Sequence, residues 1–249
     1  MEQDISGVRQ KANNDLVVSF RSVRRAIGVL GLFLPFSLVA YGLFSADGIL
    51  GSMSAYYYSP MREIFVGTLC ALAVFLWTYE GYRANPGEML SDRLLSRIAS
   101  LGAAGVALMP TASAAVFAEA GAPVTEALPV TCTLTQCIFG EGIISVVHFL
   151  AAAVFFIAMA VIALVLFTRG DASDPAKQAA NRIYRICGWT ILTAVIVIGL
   201  LQFTGLRQQL QGIRPVFWLE VVASIAIAVS WMTKGDAMQP LQRMMVPQR

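Results

Sequence analysis

The chain has 249 residues, 57% of them hydrophobic and only 13% charged, with a mean hydropathy of +0.68. A soluble domain carries about a quarter charged residues, so this composition excludes an ordinary soluble enzyme or binding module. The net charge of +3 is scattered between apolar runs and forms no continuous basic patch, which excludes a nucleic-acid partner.

Residues 1–25 are polar and contain Arg9, Lys11, Arg21, Arg24 and Arg25. A long apolar run follows without an evident cleavage site, so the first run reads as a retained signal anchor. Apolar runs predict membrane-spanning helices at about 26–44, 62–82, 95–118, 142–168, 184–205 and 214–233, each near the roughly 20 residues that a bilayer core requires. The expected fold is all-α: a polytopic six-transmembrane-helix bundle. Its domains are a cytoplasmic N-terminal segment (1–25), a six-helix membrane domain (26–233) and a cytoplasmic basic tail (234–249).

Charge orients the spans. Fifteen of the 18 basic residues fall on the side that holds the N-terminus; only Arg62, Arg207 and Arg214 fall on the other. Basic loops stay cytoplasmic, so both termini are expected there, with the protein multi-pass in a bacterial inner (plasma) membrane. The first outward loop, 45–61, contains the run Tyr56-Tyr57-Tyr58-Ser59-Pro60 and leads into Arg62 and Glu63. In the third span Ala99, Ala103 and Ala107 recur every four residues, with Gly102 and Gly105 nearby, a pattern that permits close helix packing. Pro110 is expected to kink that helix. In the second outward loop the spacing of Cys132 and Cys137 permits a disulfide on the oxidising side.

Ionisable groups are costly in hydrocarbon. Here they share a depth. His148 and Glu220 each lie about six residues, roughly 9 Å, below the outward ends of the fourth and sixth spans. Glu141, Ser145 and His148 are spaced to share one helix face, as are Glu220 and Ser224. These positions suggest an outward-facing polar pocket in which Arg62 contacts an anionic group, Tyr57 flanks it, and Glu63, Ser145, His148 and Glu220 organise the floor. A plainer reading also fits. The tyrosines would form an interfacial aromatic belt, Arg62 and Glu63 a solvated helix end, and His148 with Glu220 a structural pair.

Several chemistries lack their residues. Lys11, Lys177 and Lys234 are the only lysines and none lies well inside a span, so a retinal Schiff base is excluded. A single histidine is too few for a two-haem cytochrome and insufficient for a hydrolytic zinc site, so no metal and no cofactor is expected. No G-x-S-x-G elbow or P-loop occurs. Catalytic residues stay unknown. The expected partners are membrane lipids, with a small ligand or a membrane-protein partner. Alternatives are an intramembrane lipid hydrolase built on Ser145 and His148 with Glu220, a proton-coupled carrier titrating Glu220 with His148, and a subunit of a larger membrane complex.

The stretch from Ser52 through Tyr56-Tyr57-Tyr58-Ser59-Pro60-Met61-Arg62-Glu63 to Gly67 resembles the segment between the first two spans of uncharacterised bacterial six-span proteins similar to the DUF998 and Frag1/DRAM group. Asp92-Arg93, the run from Gly105 to Thr111, and His148 are similar to that group too. The resemblance implies a six-helix membrane fold. It implies no reaction.

Overall fold

The computed structural model describes residues 2–46, 48–81, 90–112, 132–170 and 174–236, with side chains from residue 20 onward. Every regular element among them is helical. Helix α1 spans Glu2–Phe44, α2 Arg62–Thr78, α3 Asp92–Leu108, α4 Leu134–Phe139, α5 Glu141–Val161, α6 Pro175–Thr204, α7 Leu206–Gln209 and α8 Pro215–Lys234. A 3-10 turn covers Ser54–Tyr58 between α1 and α2, and another covers Gln211–Ile213 before α8. Helix α5 runs on into a π-helical segment, Ile162–Leu166.

Four segments are long and apolar enough to cross a membrane: Phe20–Phe44, Glu141–Leu166, Pro175–Thr204 and Gln211–Lys234. Helices α2 and α3 have 17 residues each, about 25 Å at 1.5 Å per residue. Large apolar side chains such as Phe36, Val74, Leu101, Leu150, Ile157, Ile186 and Ile196 are exposed along the helices. In water such a surface would be a liability; in a bilayer it meets acyl chains.

The helix ends differ from the sequence expectation in physically legible ways. Helix α3 stops at Leu108 and is not kinked at Pro110. Met109 is extended (φ −121°, ψ 91°), because the proline ring disfavours helical geometry in the residue before it. Ser113 and Glu119 lie outside the described residues. Helix α6 begins about nine residues before the expected fifth span. The Asp174 side chain accepts from the Ala176 N–H and Pro175 occupies the first helical position, a preorganised start that needs no apolar residues. Helix α2 ends at Thr78, which leaves Glu80 beyond the helix and paired with Arg93 at 3.3 Å.

Helix α3 packs against α2 and α5, α8 against α1 and α6, α5 against α6, and α1 against α2. Ala99, Ala103 and Ala107 are all buried along α3. At Gly102 a Cβ would come within 2.8 Å of the Phe155 nitrogen and 2.9 Å of the Ala151 carbonyl oxygen, so the absent side chain sets the approach of α3 to α5.

Two buried clusters divide the core. One gathers Ile27, Leu76, Tyr79, Phe167, Tyr184 and Trp231 near the arginine-rich end. There Arg24, only 7% exposed, donates from Nε to the Tyr79 hydroxyl at 3.0 Å, and that hydroxyl donates to Asp92 at 3.4 Å. Arg25 donates to the Gly235 carbonyl at 2.8 Å, tying α1 to the end of α8. The second cluster gathers Leu38, Met53, Tyr56, Tyr57, Phe65 and Phe217 at the opposite end.

Candidate functional site at the tyrosine end

After α1 the chain turns back into the protein instead of lying on its surface. Ser52 through Tyr57 are all buried. The turn is closed locally: the Ser52 hydroxyl accepts from the Ala55 N–H, and the Ser59 hydroxyl donates to the Tyr56 carbonyl and accepts from the Met61 N–H. Short hydroxyl side chains supply such bonds wherever the backbone leaves regular structure.

Surrounding helices grip this segment through polar groups. His148 on α5 lies 2.6 Å from the Met109 carbonyl through Nδ1 and 2.8 Å from the Ser54 hydroxyl through Nε2. A carbonyl only accepts, so Nδ1 carries the proton, and in the neutral ring Nε2 accepts from Ser54. Glu220 on α8 accepts the Met53 N–H at 2.6 Å. The two residues of matched depth therefore hold consecutive positions of one segment. They do not face an open pocket through these bonds.

The tyrosines have three different fates. Tyr56 is fully buried, edge-on to Tyr41 and beside Phe217, and its hydroxyl accepts from the Leu50 N–H at 3.3 Å. Burial pushes its phenol pKa up, against the pull of the Leu50 N–H and the Arg214 guanidinium. Tyr57, also buried, accepts from Arg62 at 3.1 Å while that guanidinium lies over its own ring at 4.6 Å. Tyr58 donates to the Thr111 carbonyl and accepts from the Gln136 amide at 2.8 Å. Burial pushes its pKa up to about 12, so the hydroxyl remains a donor. An interfacial aromatic belt is therefore the wrong description of Tyr56 and Tyr57: a belt residue keeps its ring at the headgroup level, whereas these rings fill core.

Gln136 is held by local chemistry. Thr133 and Gln136 form a reciprocal capping box at the start of α4. The Cys132–Cys137 disulfide is formed across that helix, with Cα atoms 5.3 Å apart. Thr135 donates to the Leu108 carbonyl, satisfying one acceptor at the end of α3.

Of the expected pocket residues, the structure joins Tyr57 to Arg62 and brings His148 and Glu220 to adjacent backbone positions. Glu63 is exposed in the first turn of α2. Ser145 is half-buried on α5, and the serine that meets His148 is Ser54. Sequence reasoning missed Ser54, Gln136 and the Met109 carbonyl. The Thr133-x-x-Gln136 spacing was the available signal for the second.

A groove of about 530 Å³ lies beside this segment, lined by Gly42, Leu43 and Ile49 on one side and by Gly212, Ile213, Arg214 and Trp218 on the other. Arg214 adopts a left-handed conformation (φ 48°, ψ 57°) immediately before Pro215, unusual for a side chain of its size. Gly42 is required there, because a Cβ would approach within 2.8 Å of the Tyr56 hydroxyl oxygen. Among the described residues no group of three or more His, Cys, Asp or Glu is placed to hold a metal ion.

No protein-family model, curated protein or solved structure matches this chain. The functional reading therefore rests on the geometry.

Proposed function

We propose that this is a six-span protein of the bacterial inner membrane, with both termini cytoplasmic, that binds the headgroup of an anionic lipid in the groove at its outward end. Four apolar segments supply the core of that reading. Helices α2 and α3, at 17 residues, sit at the lower limit of the roughly 17–25 residues that span a bilayer. The helix contacts run in a closed circuit from α1 through α2, α3, α5, α6 and α8 back to α1, as a six-helix bundle requires. Fifteen basic residues on one side set the orientation.

One observation carries the binding proposal: the groove pairs a guanidinium with exposed apolar walls. Arg214 is only half-buried, and Leu43, Ile213 and Trp218 beside it are exposed. A phosphate accepts from the guanidinium fork, the indole sits at the headgroup level, and acyl chains continue along the apolar wall. Tyr57 with Arg62, His148 and Glu220 then act as the framework of this end, and Glu63 and Ser145 do not line the groove. The test is retention of phosphatidylglycerol by the purified protein, counted by native mass spectrometry. Arg214→Gln and the groove-filling Leu43→Trp are expected to lose it. Equal retention by wild type and both variants sinks the proposal.

A second reading has its own observation. The Ser54 hydroxyl lies 2.8 Å from a histidine whose other nitrogen is fixed by a carbonyl, the arrangement of a base-activated nucleophile. It ranks second because Ser54 is 8% exposed and His148 2%, and neither lines the groove. A lipase assay that shows turnover in wild type and none in Ser54→Ala would reverse the order.

A further inference from the structure

Most guanidinium groups at the arginine-rich end have partners. Arg21 pairs with Asp236 and Arg93 with Glu80, while Arg24, Arg25 and Arg169 donate to a tyrosine hydroxyl or to backbone carbonyls. Arg182 and Arg185 are exposed on α6 and need none. Arg97 fits neither group. It is half-buried on α3, yet it makes no hydrogen bond or ion pair among the described residues, and its Nε is buried without a partner. The described carboxylates that flank the α2–α3 connection are engaged elsewhere: Glu80 with Arg93 at 3.3 Å, Asp92 with the Tyr79 hydroxyl at 3.4 Å.

What holds Arg97 is aromatic. Its guanidinium carbon lies 5.1 Å from the centroid of the Trp77 ring, in the last turn of α2. A guanidinium over a ring engages through its face, while its N–H donors point outward in its own plane. The terminal amino groups of Arg97 have no partner among the described residues and reach the surface. That surface is apolar. Leu94, Arg97, Leu101 and Leu108 stand at i, i+3, i+7 and i+14, on one face of α3. All three leucines are exposed, as are Trp77 and, one turn before it on α2, Val74. An unpaired arginine within such a stripe is costly in a bilayer unless an anion joins it. Arg97 stands five residues, roughly 7.5 Å, inside the start of α3. From that depth an arginine side chain extends to the headgroup level, where tryptophan also settles.

We propose that Arg97 and Trp77 form a binding site for the phosphate of an anionic lipid in the leaflet at the arginine-rich end. The edge of the guanidinium donates to the phosphate oxygens, the indole covers its face, and Leu94, Leu101 and Val74 line the acyl chains. The stripe commits the ligand to a lipid, because a soluble phosphate compound gains nothing from exposed leucines. The site rests on the reading of α2 and α3 as membrane spans. It is independent of the groove at Arg214, which lies at the other end.

The test uses the full-length protein in nanodiscs of phosphatidylcholine and phosphatidylglycerol, with bromine on the acyl chains of one lipid or the other. Bromine quenches tryptophan at close range, and the part of the quenching that is absent from Trp77→Phe reports on this face alone. Per lipid, brominated phosphatidylglycerol is expected to quench that part about five-fold more effectively than brominated phosphatidylcholine. Arg97→Gln is expected to bring the two lipids to parity, while Arg97→Lys, which keeps the charge, retains most of the preference. Neither substitution strands a hydrogen-bond partner in the protein, and the ratio is taken within each variant, so changes in intrinsic emission cancel. Equal quenching by the two lipids in wild type, or a preference that survives Arg97→Gln, overturns the proposal and leaves the spans standing. No quenching of the Trp77 part by either lipid overturns both, because α2 and α3 would then lie outside the bilayer.

Discussion

The two ends of this protein bury polar groups in opposite ways. At the tyrosine end, polar groups from two helices and from the chain after α3 converge on one inserted segment: Glu220 takes the Met53 N–H, His148 bridges the Ser54 hydroxyl and the Met109 carbonyl, and the Thr111 carbonyl takes the Tyr58 hydroxyl. At the arginine end, long cations reach directly across helix ends to aromatic rings and carbonyls, as Arg24 does to Tyr79 and Arg25 to Gly235. The first arrangement fixes a piece of chain in one conformation. The second fastens helices whose positions are already set by packing. The difference predicts unequal sensitivity. Removing a partner at the tyrosine end strands buried groups, while removing one at the arginine end leaves side chains that still have other contacts.

The largest effect is therefore expected for His148→Leu. It leaves both the Met109 carbonyl and the Ser54 hydroxyl without their partner, a loss of about 2–4 kcal/mol. Denaturant unfolding in detergent checks this. A change below that of the arginine-end variant described next would break the comparison.

Tyr79→Phe is expected to cost about 1–2 kcal/mol in the same assay. It removes the hydroxyl between Arg24 and Asp92. The ring beneath the guanidinium remains, at 5.6 Å from centroid to carbon, as does the Lys234 carbonyl.

Four of the apolar runs were legible because a long apolar helix is a composition as much as a conformation, and the depth count singled out His148 and Glu220, which bond the Ser54 hydroxyl and the Met53 N–H. What those residues hold was not legible. A loop that returns between helices has no periodicity, and its tyrosines look the same in sequence whether they stand at an interface or fill a core. Pro110 was read as a kink because proline is tolerated inside membrane helices. The local bias of the residue before proline is reinforced by tertiary contacts: His148 takes the Met109 carbonyl and Thr135 takes that of Leu108, so two carbonyls at the helix end keep partners. The groove at Arg214 was missed for a simpler reason. Its walls come from residues about 170 positions apart, and no local pattern links them.

The smallest effect concerns pH and sharpens the account of the inserted segment alone. The Tyr58 phenol has a folded pKa of about 12 against an ordinary 10.0. The folded state holds this proton more tightly than the unfolded chain, so the contribution is complete below pH 10 and lost as pH rises through about 12. Phenolate absorbance in an alkaline titration should show a late-ionising component near pH 12 that shrinks by one tyrosine in Tyr58→Phe. Ionisation of that tyrosine near the ordinary pH of about 10 would mean that the segment is open to water.

The π-helical turn at Ile162–Leu166 gives the arginine end a different kind of significance. Its defining bond runs from the Phe167 N–H to the Ile162 carbonyl at 2.9 Å, five residues back. Such a turn is equivalent to one residue inserted into an α-helix. Each inserted residue swings everything downstream by about 100° around the axis. The direction in which Phe167 presents its carbonyl to Lys177, at 2.9 Å, and Lys234, at 3.5 Å, is thus a matter of residue arithmetic within one helix. A single-codon deletion inside that turn would re-index the end of the helix and aim the carbonyl away from Lys177 and Lys234 without altering either lysine.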